Sequence, residues 1–237
     1  TLSSSSAASD VYKRQIIMSF KKLRALFGAL SLCVCASSHA GFINFDNVDP
    51  SIYFEGESAA VDSTFQITAR GLGLIGDAYS CFIAQCPSGN DTQSWYALND
   101  GGFDLSRYDM GAMQLLGFDI SFVPPFPIYA PDAILGRLLI DSFNSMGQWI
   151  GSWSFDLPAQ NQDGNFYFAH VDVSSFAMEG HLFRFSSCTF DSNLDCVAPN
   201  ENLNQFVIDN IHVPAGDTLA LLAIGLAAFG AMRRRRA

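Results

Sequence analysis

The chain has 237 residues, of which 49% are hydrophobic, 15% charged and 13% aromatic, with 21 Phe. So much apolar surface excludes a disordered chain, and a formal net charge of −10 excludes a nucleic-acid binder. Between Gly41 and Pro214 only Arg70, Arg107, Arg137 and Arg184 are basic, against 21 acidic residues, so this body is near −17 while Lys and Arg crowd both ends. That asymmetry is expected of an exported acidic body flanked by topogenic signals.

Residues 1–17 are Ser/Ala-rich and without periodicity; the stretch TLSSSSAASDVYKRQ resembles a translated sequencing-adaptor read-through and is set aside from the fold. Met18 then opens a signal peptide over residues 18–40. Lys21, Lys22 and Arg24 form its charged region and Ala25 to Ala36 its apolar region. Ser38-His39-Ala40 places small residues before the cut, so cleavage is expected between Ala40 and Gly41.

Residues 41–212 read as one all-β domain. Phe65, Ile67 and Ala69 alternate with polar neighbours, as do Phe118, Ile120 and Phe122. Trp149, Gly151, Trp153, Phe155 and Leu157 alternate with Ser152, Ser154 and Asp156, which predicts a half-buried strand with Trp149 and Trp153 in the core. Tyr167, Ala169, Val171 and Val173 continue the pattern, then Phe183 and Phe185. Turn signals fall at Asn99-Asp100-Gly101-Gly102, Pro124-Pro125, Gln162-Asp163-Gly164-Asn165 and Met178-Glu179-Gly180. Many short antiparallel strands predict a sandwich or a barrel. Four cysteines follow the signal peptide, and in an oxidising compartment they are expected as the local disulfides Cys81–Cys86 and Cys188–Cys196; a four-cysteine zinc site lacks the tight paired spacing.

Catalytic signatures are scarce. The body has no Gly-x-Ser-x-Gly elbow and no His-Glu-x-x-His helix, and carboxylate pairs for glycoside hydrolysis are unspecific among so many acids. His170, His181 and His212 all fall in strand-like segments. A calcium site is the better-founded expectation, because an acidic Asp/Asn-rich domain offers the oxygens that Ca2+ requires. By alternation Asp209 shares the inward face with Val207, Ile211 and Val213, and a buried carboxylate needs a cation or several donors. Asp46 is its expected neighbour if the terminal strands pair. For stacking on sugars, Trp95, Tyr96 and Tyr108 are the aromatic candidates beside loops.

The last segment, 213–237, reads Val213-Pro214-Ala215-Gly216-Asp217-Thr218, then an apolar run from Leu219 to Met232, then Arg233, Arg234, Arg235 and Arg236. As a helix the apolar run is about 21 Å long against a hydrocarbon core of about 30 Å, and the arginines act as a stop-transfer cluster. This tail resembles the PEP-CTERM sorting signal of exopolysaccharide-producing Gram-negative bacteria, with Ala215-Gly216 where that family has Glu-Pro. Gln205-Phe206-Val207-Ile208-Asp209-Asn210-Ile211 resembles the Phe-x-x-Asp-Asn-Ile strand that precedes such tails. The resemblance implies a single jelly-roll-like β-sandwich, often with a structural calcium between its terminal strands. It also implies an exosortase-type processing enzyme as partner, transient anchoring in the membrane by the C-terminal helix, and a destination at the cell surface or in the extracellular matrix. The function expected is non-enzymatic, structural or adhesive within extracellular polysaccharide. The alternatives are a calcium-assisted carbohydrate-binding module and a secreted glycan hydrolase.

Overall fold

Period-two alternation becomes an all-β, antiparallel structure in the computed structural model, which describes residues 40–77, 86–123, 135–191, 193–197 and 204–214. In chain order the strands are β1 (Ala40–Ile43), β2 (Ser51–Tyr53), β3 (Ser58–Ala60), β4 (Phe65–Gly76), β5 (Ser94–Arg107), β6 (Met113–Leu115), β7 (Gly117–Phe122), β8 (Gly136–Phe143), β9 (Trp149–Asp156), β10 (Ala169–Asp172), β11 (Met178–Gly180), β12 (Leu182–Phe190), β13 (Cys196–Val197) and β14 (Phe206–Pro214). Among the described residues the helical element is a single 3-10 turn, Ser174–Phe176.

Twelve of the strands form one sheet, and its curl makes the sandwich. The hairpin β4–β5 is the hinge of that curl. β4 runs along one edge of β5 from Gly76 opposite Ser94 to Phe65 opposite Arg107. The other edge of β5 serves two partners in turn: Trp95–Ala97 pairs with β14, and Phe103–Ser106 pairs with β12. Between these two stretches Asn99 and Asp100 adopt left-handed conformations (φ 52° and 59°) and the register with β4 shifts. The Asn-Asp-Gly-Gly run is therefore not the turn its composition predicts but a bulge inside a strand, which re-aims β5 from one layer to the other. Gly101 and Gly102 fit because the partner backbones come so close: a Cβ on Gly101 would lie 2.6 Å from the Leu72 carbonyl oxygen.

One layer thus holds β10, β7 and β14 with the first half of β5; the other holds β9, β8 and β12 with its second half. Phenylalanines fill the space between. Phe103 stacks on Phe185 within one layer at 4.5 Å, while Phe118 of β7 meets Phe155 of β9 at 5.6 Å and Phe185 of β12 at 6.2 Å, both edge-on, so side chains from both layers interdigitate. Trp95 is fully buried against Gly73, whose missing Cβ leaves room for the indole. A smaller apolar cluster of Tyr96, Leu98, Val123 and Val207 covers the opposite face of the first layer.

The first and last strands pair, as expected: β1 lies antiparallel to β14, from Ala40 opposite Pro214 to Ile43 opposite Ile211. Both expected segment boundaries fall inside this pairing. Ala40, before the expected cleavage, opens β1, and Val213, assigned to the tail, is fully buried in β14. Met178-Glu179-Gly180, a turn signal by composition, is β11 paired with β6. The Gln162–Asn165 signal is a turn, where the Asn161 side-chain oxygen accepts the N–H groups of Asp163 and Asn165.

Candidate functional site

Strand β14 carries the Phe-x-x-Asp-Asn-Ile segment, and its irregularity decides where Asp209 points. From Phe206 to Asp209 it pairs in register with β7; the register then slips so that His212 stands opposite Gly117. One extra residue sits on β14, and Asn210 adopts φ 49°, the conformation of a bulge. A one-residue bulge inverts side-chain parity. Phe206 and Ile208 face the main core before it, and Ile211 and Val213 face the same core after it, while Val207 belongs to the cluster on the opposite face. Asp209 therefore lies on the Val207 side and not, as plain alternation implies, on one face with Ile211 and Val213. It is buried all the same.

Burial comes from the segment leading into β5. Asn90 Nδ2 donates to Asp209 Oδ2 at 2.7 Å, and the Thr92 hydroxyl donates to the same oxygen at 2.9 Å. Asn90 is itself held by Ser94, whose Oγ accepts a second Asn90 N–H at 2.9 Å, and by the Thr92 N–H, which donates to Asn90 Oδ1. The Asp209 side chain has 0% exposure, and its Oδ1 makes no hydrogen bond of normal geometry, although the Asn210 N–H lies close enough to act on the carboxylate. Burial pushes its pKa above the ordinary carboxylate value; the donors Asn90, Asn210 N–H and Thr92 act against that shift, and the charge of Asp46 adds to it.

Asp46 reaches the same loop from the other end of the chain: its Oδ1 accepts the Gln93 N–H at 3.2 Å and its Oδ2 accepts from Asn44. Asp46 is exposed where Asp209 is buried. Gln93 contributes a second buried oxygen, Oε1, that has no donor. The loop 90–93 thus bridges both acids, and its unsatisfied atoms are acceptors. Across β7, Asp119 stands opposite Asp209 in the ladder, but its oxygens are occupied by His170 Nδ1 at 2.7 Å and Asn210 Nδ2 at 2.8 Å.

The other expected residues fall differently. His212 stacks on Phe42 at 4.5 Å and His170 pairs with Asp119; among the described residues no group of three or more His, Cys, Asp or Glu is arranged to hold a metal. Cys188 and Cys196 form a disulfide with Cα atoms 5.5 Å apart, closing the turn in which Asp191 accepts the N–H groups of Asn193 and Asp195. Cys86 carries a free thiol, so no expected bridge is seen at that residue; its intended partner Cys81 lies outside the described residues. Residues 1–39 and 215–237, with the signal peptide and Arg233–Arg236, also lie outside them, and no helix among the described residues is long and apolar enough to cross a membrane. Two aromatic assignments are corrected. Trp95 and Tyr96 are core, 0% and 2% exposed, because both faces of β5 are covered there; Trp149 is 61% exposed rather than buried.

No protein-family model and no curated protein matches the sequence. The chain is similar to several solved structures at low identity, among them the following three. A DUF4465 family protein from Bacteroides caccae shares 10% identity with a TM-score of 0.49, over 73% of this chain and 97% of that one. An arabinose-bound GH51 α-L-arabinofuranosidase shares 11% with a TM-score of 0.41, over 75% of this chain and 27% of that one. The enzymatically active domain of tailspike protein 4 from bacteriophage CBA120 shares 13% with a TM-score of 0.27, over 75% and 21%. None of these overlaps bears on ligand or reaction, and the fold rests on the strand pairing itself.

Chemically, the unsatisfied side-chain atoms of the loop 90–93 and of Asp209 are oxygen acceptors. Asp209 Oδ1, Gln93 Oε1 and a carboxylate oxygen of Asp46 have lone pairs of the kind a hard divalent cation takes. Neither histidine nor thiol belongs to the set, so softer metals are poorly matched.

Proposed function

We propose that this chain is an exported, non-enzymatic β-sandwich protein that acts structurally or adhesively in extracellular polysaccharide, with a calcium ion closing the junction of its terminal strands. The single observation that carries the calcium part is the Asp209 carboxylate: fully buried, with one oxygen doubly hydrogen-bonded and the other bare. A bare buried carboxylate oxygen costs stability unless a cation or donor meets it. Asp209 and Asp46 would hold the ion through the loop 90–93, and the ion's part is to neutralise the carboxylate and fasten that loop to β14. The PEP-CTERM-like tail would sort the protein outward through an exosortase-type enzyme, with its apolar segment as the membrane anchor before processing. The acidic body supports the same reading, since near −17 it stays soluble outside the cell and responds to divalent cations.

The test is co-sedimentation of the full chain with extracellular polysaccharide from a producing bacterium, in calcium and then in EDTA. Retention that weakens in EDTA is the expected result. Absence of retention in both buffers would overturn the adhesive reading.

A further inference from the structure

The strongest feature the terminal-strand site leaves unexplained is Trp149. Apolar alternation would bury it, yet it is 61% exposed, because β9 slips register against β8 between Gly151 and Trp149. The bulge at Ile150 moves the indole to the outer face, beside Ser152 and Asp141. There it is not loose. Trp149 Nε1–H donates to Ser152 Oγ at 3.1 Å and to Asp141 Oδ1 at 3.3 Å, and the Ser152 hydroxyl also donates to Asp141 Oδ1. The ring edge is fixed while most of its surface faces solvent.

The row continues across the sheet. Asp141 stands opposite Arg184, which stands opposite Asp104. Arg184 forks onto Asp104 through Nε at 2.8 Å and Nη2 at 3.0 Å, and its guanidinium lies over Phe143 at 5.1 Å. A guanidinium has five N–H donors, so donors remain, and Asp141 Oδ2 remains as an acceptor. A fixed, exposed indole beside a carboxylate and a guanidinium matches the chemistry of a pyranose ring: C–H faces for the indole, vicinal hydroxyls for the acceptor and donor.

We infer that the outer face of the β8–β9 hairpin binds an uncharged polysaccharide, with Trp149 stacking on a sugar ring and Asp141 and Arg184 taking its hydroxyls. This rests on the adhesive reading above and names its surface and ligand class. Charge selects the uncharged class: the guanidiniums of β8 and β12 are already matched, Arg137 by Asp156 at 2.6 Å and Arg184 by Asp104, within a body near −17. An acidic chain would meet the repulsion of that body. Edge pairing with a second copy is disfavoured by the bulge, which interrupts the ladder that another strand would extend.

The test is affinity electrophoresis of the full-length protein in detergent, in gels containing dextran, mixed-linkage β-glucan, galactomannan or alginate. Retardation by at least one of the three uncharged chains is expected, and Trp149→Ala should weaken it about tenfold or more with an unchanged melting temperature. As a second measurement on the wild type, N-bromosuccinimide should oxidise the exposed Trp149 before the buried Trp95, and the retarding glycan should protect it. Equal retardation of Trp149→Ala, absence of protection, retardation by alginate alone, or a dimer that forms through Trp149 would each overturn the site. Such a result leaves the adhesive reading standing if the protein still co-sediments with the native polysaccharide. Loss of that co-sedimentation in the wild type removes the reading and the site together.

Discussion

Asp209→Asn should reverse its effect on stability between EDTA and calcium. In EDTA, at pH above its raised pKa, the wild type buries an ionised carboxylate with Oδ1 unmatched, whereas the amide keeps an oxygen for Asn90 and Thr92 and sheds the charge. An unmatched buried acceptor costs about 1–3 kcal/mol, so the variant should melt at or above the wild type by up to roughly 10 °C. With calcium at a hundred times its dissociation constant the wild type gains about 2.7 kcal/mol, or roughly 5–10 °C for a domain of this size, and the variant gains nothing. The pH dependence has a definite sign. Burial raises the folded-state pKa of Asp209, so the folded state holds the proton more tightly than the unfolded chain. In EDTA, stability therefore falls as pH rises from the ordinary value of 3.8 through the raised pKa, and the loss is complete above it. Calcium should abolish that fall. Thermal melts by circular dichroism between pH 4 and 8 measure all of this. An Asp209→Asn protein that still responds to calcium like the wild type would refute the reasoning, as would one far less stable than the wild type in EDTA.

Other substitutions test the fold. Cys188→Ser opens a loop whose closure contributes about 2–2.5 kcal/mol, so the melting temperature should drop by roughly 5–10 °C, and reducing agent should lower the wild type but not the variant. Gly73→Ala puts a methyl group into the fully buried Trp95 ring; a loss of about 1–3 kcal/mol in urea unfolding is expected, with tryptophan fluorescence shifted to the red. Phe103→Ala removes the ring stacked on Phe185 and tilted against Trp95, and should cost about 3–5 kcal/mol. Deleting 215–237, which leaves β14 whole through Pro214, should release the protein into the medium; a cell-bound product would show that the tail is not the anchor.

Strand content was legible wherever one face is core and the other is solvent. β4 shows it most plainly, with Phe65, Ile67 and Ala69 inside and Gln66, Thr68 and Arg70 outside. Legibility failed in two physical situations. Where both faces are covered, as at Ser94–Leu98, the run is buried throughout, and no period distinguishes a core strand from a loop-side aromatic cluster. Where a bulge intervenes, every residue beyond it changes face. Ile150 puts Trp149 outside against the pattern, and Asn210 sets Asp209 on the face opposite Ile211. The burial expected of Asp209 is met, but by a loop that alternation does not reveal. Asn90 lies 119 residues from Asp209 in the chain, and nothing in the composition of either segment points to the other. A Ser/Thr/Asn-rich stretch just before a strand was the available signal, and it is common to many loops.

The central claim is that Asp209 holds calcium. Its most direct test is isothermal titration of Ca2+ into the full-length protein after stripping with EGTA, beside Asp209→Asn under the same conditions. One saturable site in the wild type, absent from the variant, is the predicted result. Identical heats from both proteins, or no heat from the wild type, would contradict it.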